Sequence, residues 1–265
     1  MKAVDLLNGV LPDGRYALKS ATYGQQPRQK LDVYVPNEKK RGAPPVVFVY
    51  GGAWREGERD EYEFVGHALS REGYTVIIPD YRLYPAVQYP AFVDDVAQAI
   101  AYVEREADSL LGEPFTDYVL MGHSSGAHTA ALLATRPSHL QQQGVQAQLR
   151  GLIGMAGPYD LPLDLAEVAA VFGDVKPEAV KPVLDIPATM PPSLLLHGAD
   201  DGRVLLLHTR RFEKILIAAN KSVERHIYPG TDHVRLVAGL AVPLHFFNDS
   251  YDDVTAFLAQ LPPAN

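Results

Sequence analysis

Residues 122–126 read Gly-His-Ser-Ser-Gly, with Ser124 between two glycines. That G-x-S-x-G spacing belongs to a serine presented on a sharp strand-to-helix turn, where its hydroxyl can attack a carbonyl carbon. A hydroxyl is a weak nucleophile unless a base takes its proton, so the motif implies partners elsewhere in the chain. The bland reading is a helix N-cap serine with glycines for turn geometry. The flanks favour the first reading. An apolar run, 117–121 (DYVLM), precedes the motif, and the alanine-rich stretch 124–135, ended by Pro137, follows it.

In such sites the chain order is serine, carboxylate, histidine. The run 193–197 (SLLLH) leads into Gly198-Ala199-Asp200-Asp201-Gly202, which puts two carboxylates just beyond a strand end. Either Asp200 or Asp201 can orient an imidazole, and either can instead cap the helical pattern from Val204. The last strand pattern, 223–228, runs into Pro229-Gly230-Thr231-Asp232-His233, so His233 falls on a loop and is the general-base candidate. His226 lies inside that strand, His245 lies beyond a proline, and His67, His128, His139 and His208 lie in helical patterns. These six read as structural or surface histidines. A developing oxyanion needs backbone donors. Tyr50-Gly51-Gly52-Ala53-Trp54 follows the run 46–50 (VVFVY), and the donors are assigned to Gly52, Ala53 and the N–H of Ser125. Trp54, the one tryptophan, packs either beside the acyl site or in the core.

The elements that must position these groups alternate along the chain. Besides the runs above, 74–79 (YTVIIP) and 149–155 (LRGLIGM) have the length and continuous apolar character of strands covered on both faces. Helical periodicity follows Pro90 through Phe92, Val93, Val96, Ile100 and Val103, and recurs over 204–220 and 253–261. Residues 16–22 and 30–35 alternate in period two and read as an edge hairpin. The class is therefore α/β, a mostly parallel twisted sheet with helices on both faces. Residues 157–192 break the rhythm with seven prolines and no clear strand. They read as a small cap-like insertion of short helices within a single domain, 1–265, the alternative being a long surface loop.

Composition narrows the chemistry. The chain has 265 residues and no cysteine, which excludes disulfides, thiolate metal sites and a cysteine nucleophile. With 24 basic and 32 acidic side chains the net charge is −8, which argues against nucleic acid as a partner. No stretch approaches the roughly 18 unbroken apolar residues of a membrane span. Asp5, Asn8, Asp13 and Arg15 interrupt any leader-like apolar core, so a cytoplasmic location is expected if the chain begins as translated.

Taken together, G-G-A-W (51–54), D-Y-R-L-Y-P (80–85), G-H-S-S-G (122–126), G-P-Y-D (157–160), H-G-A-D-D-x-x-V (197–204) and Y-P-G-x-D-H (228–233) resemble an α/β-hydrolase. The chain is similar in particular to carboxylesterases related to hormone-sensitive lipase, to feruloyl-esterase-like enzymes and to aryl formamidases. The resemblance implies that the acid is the fourth residue after the histidine of H-G-x-x-D, here Asp201. It departs from that pattern at Tyr50, where a histidine is usual, and at Ala53, where many relatives have glycine.

The expectation is a serine hydrolase with Ser124, Asp201 and His233 as catalytic residues, acting on small short-acyl or aromatic carboxylic esters. Trp54, His123 and Tyr159 are read as substrate contacts. No metal or organic cofactor is implied, and the partner is a small-molecule ester. Two alternatives stand beside it: an amide hydrolase such as an aryl formamidase, and a non-catalytic binding protein on the same fold.

Overall fold

A computed structural model describes residues 15–262. The stretch read for a leader lies outside the described residues up to residue 14. The apolar runs become adjacent parallel strands: β3 (Val46–Val49), β4 (Val76–Pro79), β5 (Asp117–His123), β6 (Gln148–Met155), β7 (Ser193–Gly198) and β8 (Val223–Tyr228). The hairpin β1 (Tyr16–Thr22) and β2 (Lys30–Pro36) adds an antiparallel edge against β4. The eight strands form one sheet in the order β1-β2-β4-β3-β5-β6-β7-β8. Every residue of β3, β4, β5 and β7 is buried, as continuous apolar strands inside a parallel sheet must be. The two edge strands are less buried than the inner ones and carry Lys19 on β1 and Glu224 and Arg225 on β8, charges that discourage further strand pairing.

Helices cover both faces. The chain reverses direction across the sheet after β4, so right-handed crossovers place helix α1 (Glu63–Arg71) on one face and α2 (Ala91–Arg105) and α3 (Ser125–Thr135) on the other. Helix α4 (Leu207–Ala218) packs on β7 and β8. The short helix α5 (His233–Ala238) touches β7, and α6 (Ser250–Gln260) joins the face of α1 through a Tyr251–Glu72 hydrogen bond of 2.7 Å. Helix α2 buries Phe92, Val93, Val96, Ile100 and Val103, the same residues whose spacing announced it. No helix among the described residues is long and apolar enough to cross a membrane.

Of the boundaries that differ from the sequence expectation, two have clear local reasons. The helix expected from 204 begins at Leu207, because the Asp201 carboxylate accepts the backbone N–H groups of Arg203 and Val204 and holds them in a turn. His233 is the first residue of a helix and not part of a loop. Asp232 caps that helix by accepting from the Val234 and Arg235 N–H groups.

Residues 157–192 hold two short helices, Ala166–Phe172 and Pro177–Val180, and a 3-10 turn at Pro182–Leu184. Val171, Phe172, Val180 and Val183 are buried. The segment is fastened to the helical face: Tyr89 donates its N–H to the Val171 carbonyl at 3.0 Å, and Arg136 donates to the carbonyls of Glu178 and Asp185. His128, wholly buried on α3, donates from Nε2 to the Val180 carbonyl at 2.7 Å.

Burial lowers the His128 imidazole to about 4. An unfolded histidine protonates near 6.5, so below that pH the unfolded chain takes up a proton that the folded one refuses until about 4. Stability is therefore expected to fall as the pH drops from 6.5 towards 4, read as a lower urea midpoint at pH 5 than at pH 7. His128→Gln keeps a donor to Val180 and removes the titration. It is expected to flatten that slope.

Candidate active site

The end of β5 and the start of α3 are forced into close contact by small residues. A methyl group on Gly126 would collide with the carbonyl oxygens of Val49 and Tyr50, and one on Gly122 with the Gly126 carbonyl. Gly126 therefore lets the first turn of α3 sit against the end of β3, and Gly122 lets that same turn close onto the end of β5. The turn between them puts Ser124 at φ 57, ψ −125, a conformation that a residue with a Cβ adopts only under constraint. Left-handed backbone recurs beside it at Ala53 (φ 51), Trp54 (φ 59) and Ala156 (φ 51), all just past strand ends. Local strain is concentrated at the carboxyl edge of β3, β5 and β6.

The structure brings Ser124, His233 and Asp201 into one chain of hydrogen bonds. Ser124 Oγ lies 2.9 Å from His233 Nε2, and His233 Nδ1 lies 2.7 Å from Asp201 Oδ2. Asp201 Oδ1 accepts the Arg203 and Val204 N–H groups, both at 2.9 Å. An acceptor-only carboxylate at Nδ1 makes that nitrogen the donor, which leaves Nε2 free to accept from the serine hydroxyl. Burial alone would raise the Asp201 carboxyl. The His233 hydrogen bond and the two backbone donors outweigh it and hold the group below the usual range. Asp200, the other carboxylate considered, is exposed and contacts the site only through its own backbone N–H, which donates to Thr231. That bond, with one from Ala199 N–H to the Tyr228 carbonyl, seams the acid loop to the histidine loop. His197 donates from Nε2 to the Val204 carbonyl at 2.9 Å, pairs through Nδ1 with the Thr209 hydroxyl at 2.8 Å, and does not line the cavity.

Ser124 and His233 open onto a cavity of about 550 Å³. Gly52, Ala53, Ser125, Trp54 and His123 all line it. Trp54 also belongs to the core: it is 5% exposed and packs edge-on against Phe172 and His128. Tyr159 corrects the sequence reading. It is fully buried, packs on Phe212 and does not reach the cavity. Gly154 and Gly157 lie so close to its ring that neither has room for a Cβ, so the aromatic of G-P-Y-D fills the core. Two walls were not foreseen: Glu56, Glu61 and Tyr62 on one stretch, and Val204, Val234, Val237 and Ala238 on another. The apolar period of α5 carried a signal for the second. Among the described residues, no group of three or more His, Asp or Glu is arranged to hold a metal ion.

Tyr50, unusual at its position, has a visible task. Its phenol donates to Asp80 Oδ1 at 2.8 Å and accepts from Arg28 at 2.9 Å, while its carbonyl accepts from Tyr81 at 2.8 Å. Burial pushes the phenol well above its ordinary range, so it stays a donor. Asp80 also accepts the Arg59 N–H at 2.8 Å and its guanidinium at 2.6 Å, and Arg28 holds the Gly57 carbonyl. The loop that carries Gly52 and Ala53 is thus tied at both ends to one buried carboxylate. Asp80 was visible in D-Y-R-L-Y-P; Arg28 and Arg59 carried no signal of their own.

The BD-FAE family model matches residues 31–216. The chain belongs to the BD-FAE family. It is 30% identical over 242 residues to a probable isoprenylcysteine alpha-carbonyl methylesterase of Oryza sativa subsp. japonica, covering 83% of this chain and 58% of that one. The chain thus spans less than two thirds of that relative's length. A kynurenine formamidase of Salmo salar is 25% identical, over 84% of this chain and 76% of its own. Among solved structures, a truncated carbohydrate esterase from gut microbiota superposes with a TM-score of 0.78 at 19% identity, covering 94% of this chain and 98% of the other. The fold is that of the α/β-hydrolases.

Tyr50→Phe keeps the ring stacking on Tyr62 and Tyr81 and removes the bond to Asp80. It is expected to destabilise the protein by about 1–3 kcal/mol in urea titrations, because the buried Asp80 carboxylate loses one of its donors and Arg28 loses an acceptor. Gly126→Ala is expected to cost at least about 1–3 kcal/mol by overpacking, measured the same way.

Proposed function

We propose that this chain is a serine carboxylesterase that hydrolyses small carboxylic esters, with short acyl or aromatic groups, through an acyl-enzyme. The observation that carries the reading is the Ser124–His233–Asp201 chain, at 2.9 Å and 2.7 Å, opening onto the cavity. Ser124 Oγ attacks the carbonyl carbon while its proton passes to His233 Nε2. The tetrahedral oxyanion is received by the N–H groups of Gly52, Ala53 and Ser125. His233 then gives the proton to the departing alkoxide, and the C–O bond breaks. A water molecule repeats the sequence on the acyl-enzyme, with His233 as its base, and releases the acid. Asp201 holds the imidazole in the required tautomer and stabilises the imidazolium.

A cavity of about 550 Å³ suits a small substrate, and Trp54 gives it an aromatic wall. We assign residues 157–192 as an insertion within a single domain, which backs that wall through Phe172 against Trp54. An amide hydrolase is the second reading. It is favoured by the formamidase relative, which the chain matches over 76% of its length. Three side chains joined in one hydrogen-bond chain speak against a binding protein on the same fold.

Ser124→Ala is expected to lower kcat/KM for phenyl acetate about ten-thousandfold or more, with the fold retained. Retention of most of the activity would falsify the assignment. On phenyl formate and formanilide, which share their acyl and aryl groups, the ester is expected to turn over at least about tenfold faster. The opposite preference makes the chain an amidase.

A further inference from the structure

His123 stands directly before the nucleophile, and sequence reasoning made it a substrate contact. Its polar atoms do something else. Nε2 lies 3.0 Å from the carbonyl oxygen of His233, and its ring centroid lies 4.7 Å from that of His233. A carbonyl only accepts, so Nε2 carries the proton and donates. Flipping the ring would replace that donor with a carbon, so the hydrogen bond fixes the orientation as well as the tautomer. Nδ1 is buried with no partner, beside Gly51, and has no accessible surface to offer a ligand. Only the apolar edge of the ring is left for the cavity wall.

We infer that His123 is a positioning residue that couples the nucleophile to its base: its Nε2–H clamps the backbone of His233, so that the imidazole stands opposite Ser124 before substrate arrives. The inference rests on the esterase reading above. Its physical ground is that His233 begins a helix of only six residues, whose preceding turn runs through Gly230 at φ 70. A base carried there gains little rigidity from its own element. The Ser124–His233 bond cannot supply it, since that bond is broken and remade in each half-reaction. The His123–His233 bond joins the same two elements through atoms that take no part in proton transfer. Burial, with repulsion from His233 as a lesser cause, lowers the His123 imidazole to about 3, so it stays neutral and places no second positive charge beside the imidazolium.

The test compares two variants of the intact chain on 4-nitrophenyl acetate. His123→Phe fills the space without a donor; His123→Gln offers an amide N–H near the position of Nε2. For the phenylalanine variant kcat is expected to fall about tenfold to a hundredfold with KM within about twofold, the signature of a misplaced base. The glutamine variant is expected to recover to within about threefold of the parent. A phenylalanine variant with parental kcat, or a glutamine variant as slow as the phenylalanine one, overturns the inference. If His123→Phe does not fold, His123→Met takes its place in the comparison. Labelling of the parent at Ser124 by an alkyl phosphonate separates the two layers. A parent that is labelled, with a phenylalanine variant equal to it, refutes only the clamp; a parent that is not labelled refutes the esterase reading and the clamp together.

Discussion

The arrangement depends on how closely α3 approaches the end of β3. Gly126 removes the atom that would keep α3 from the end of β3, Gly122 the one that would keep β5 from the first turn of α3, and the serine between them is pressed into a left-handed turn as a result. The same approach brings Ser125 at the start of α3 beside the loop that leaves β3. One steric condition therefore sets both the exposure of the hydroxyl and the position of Gly52 and Ala53 across from it. All eleven residues of α3 are buried, so tertiary packing has ample contact area with which to hold a backbone that is unfavourable locally.

Around that turn, polar groups are fixed by partners that leave little freedom. Asp201 receives three hydrogen bonds, two of them from its own turn, and so stays ionised although buried. His197 and His128 are held neutral by burial and spend their donors on backbone carbonyls. These histidines occupy strand and helix interiors, where an imidazole behaves as a hydrogen-bonded aromatic and not as a base. His233 differs in having a carboxylate at one nitrogen and a serine at the other.

Much of this was legible in the residues because the requirements are local. Continuous apolar runs announced the inner strands, the alternation of strand and helix fixed a parallel sheet, and G-x-S-x-G marked the turn. The residues alone left Asp200 and Asp201 open, and only the resemblance at H-G-x-x-D chose Asp201; the fold turns that carboxylate inward to His233 and leaves Asp200 exposed. Tyr159 misled because an aromatic just past a strand end can face either the cavity or the core, and only the glycines at 154 and 157 show that the ring turns back. Arg28 and Arg59 were invisible for the same reason. Their value lies in meeting Asp80 across 52 and 21 residues of chain, and no spacing rule encodes that.

The network at Asp80 has a thermodynamic consequence. Tyr50 and Arg59 bind the same carboxylate, so residues 50–59 form a closed ring bolted to the neighbouring strand end. Ordering a chain segment of this length costs on the order of 1–2 kcal/mol per residue. In an open loop, much of that entropy would be lost on each encounter with a ligand and regained on its departure. Here it is lost once, during folding, and each ligand that enters the cavity meets a wall whose disorder has already been removed.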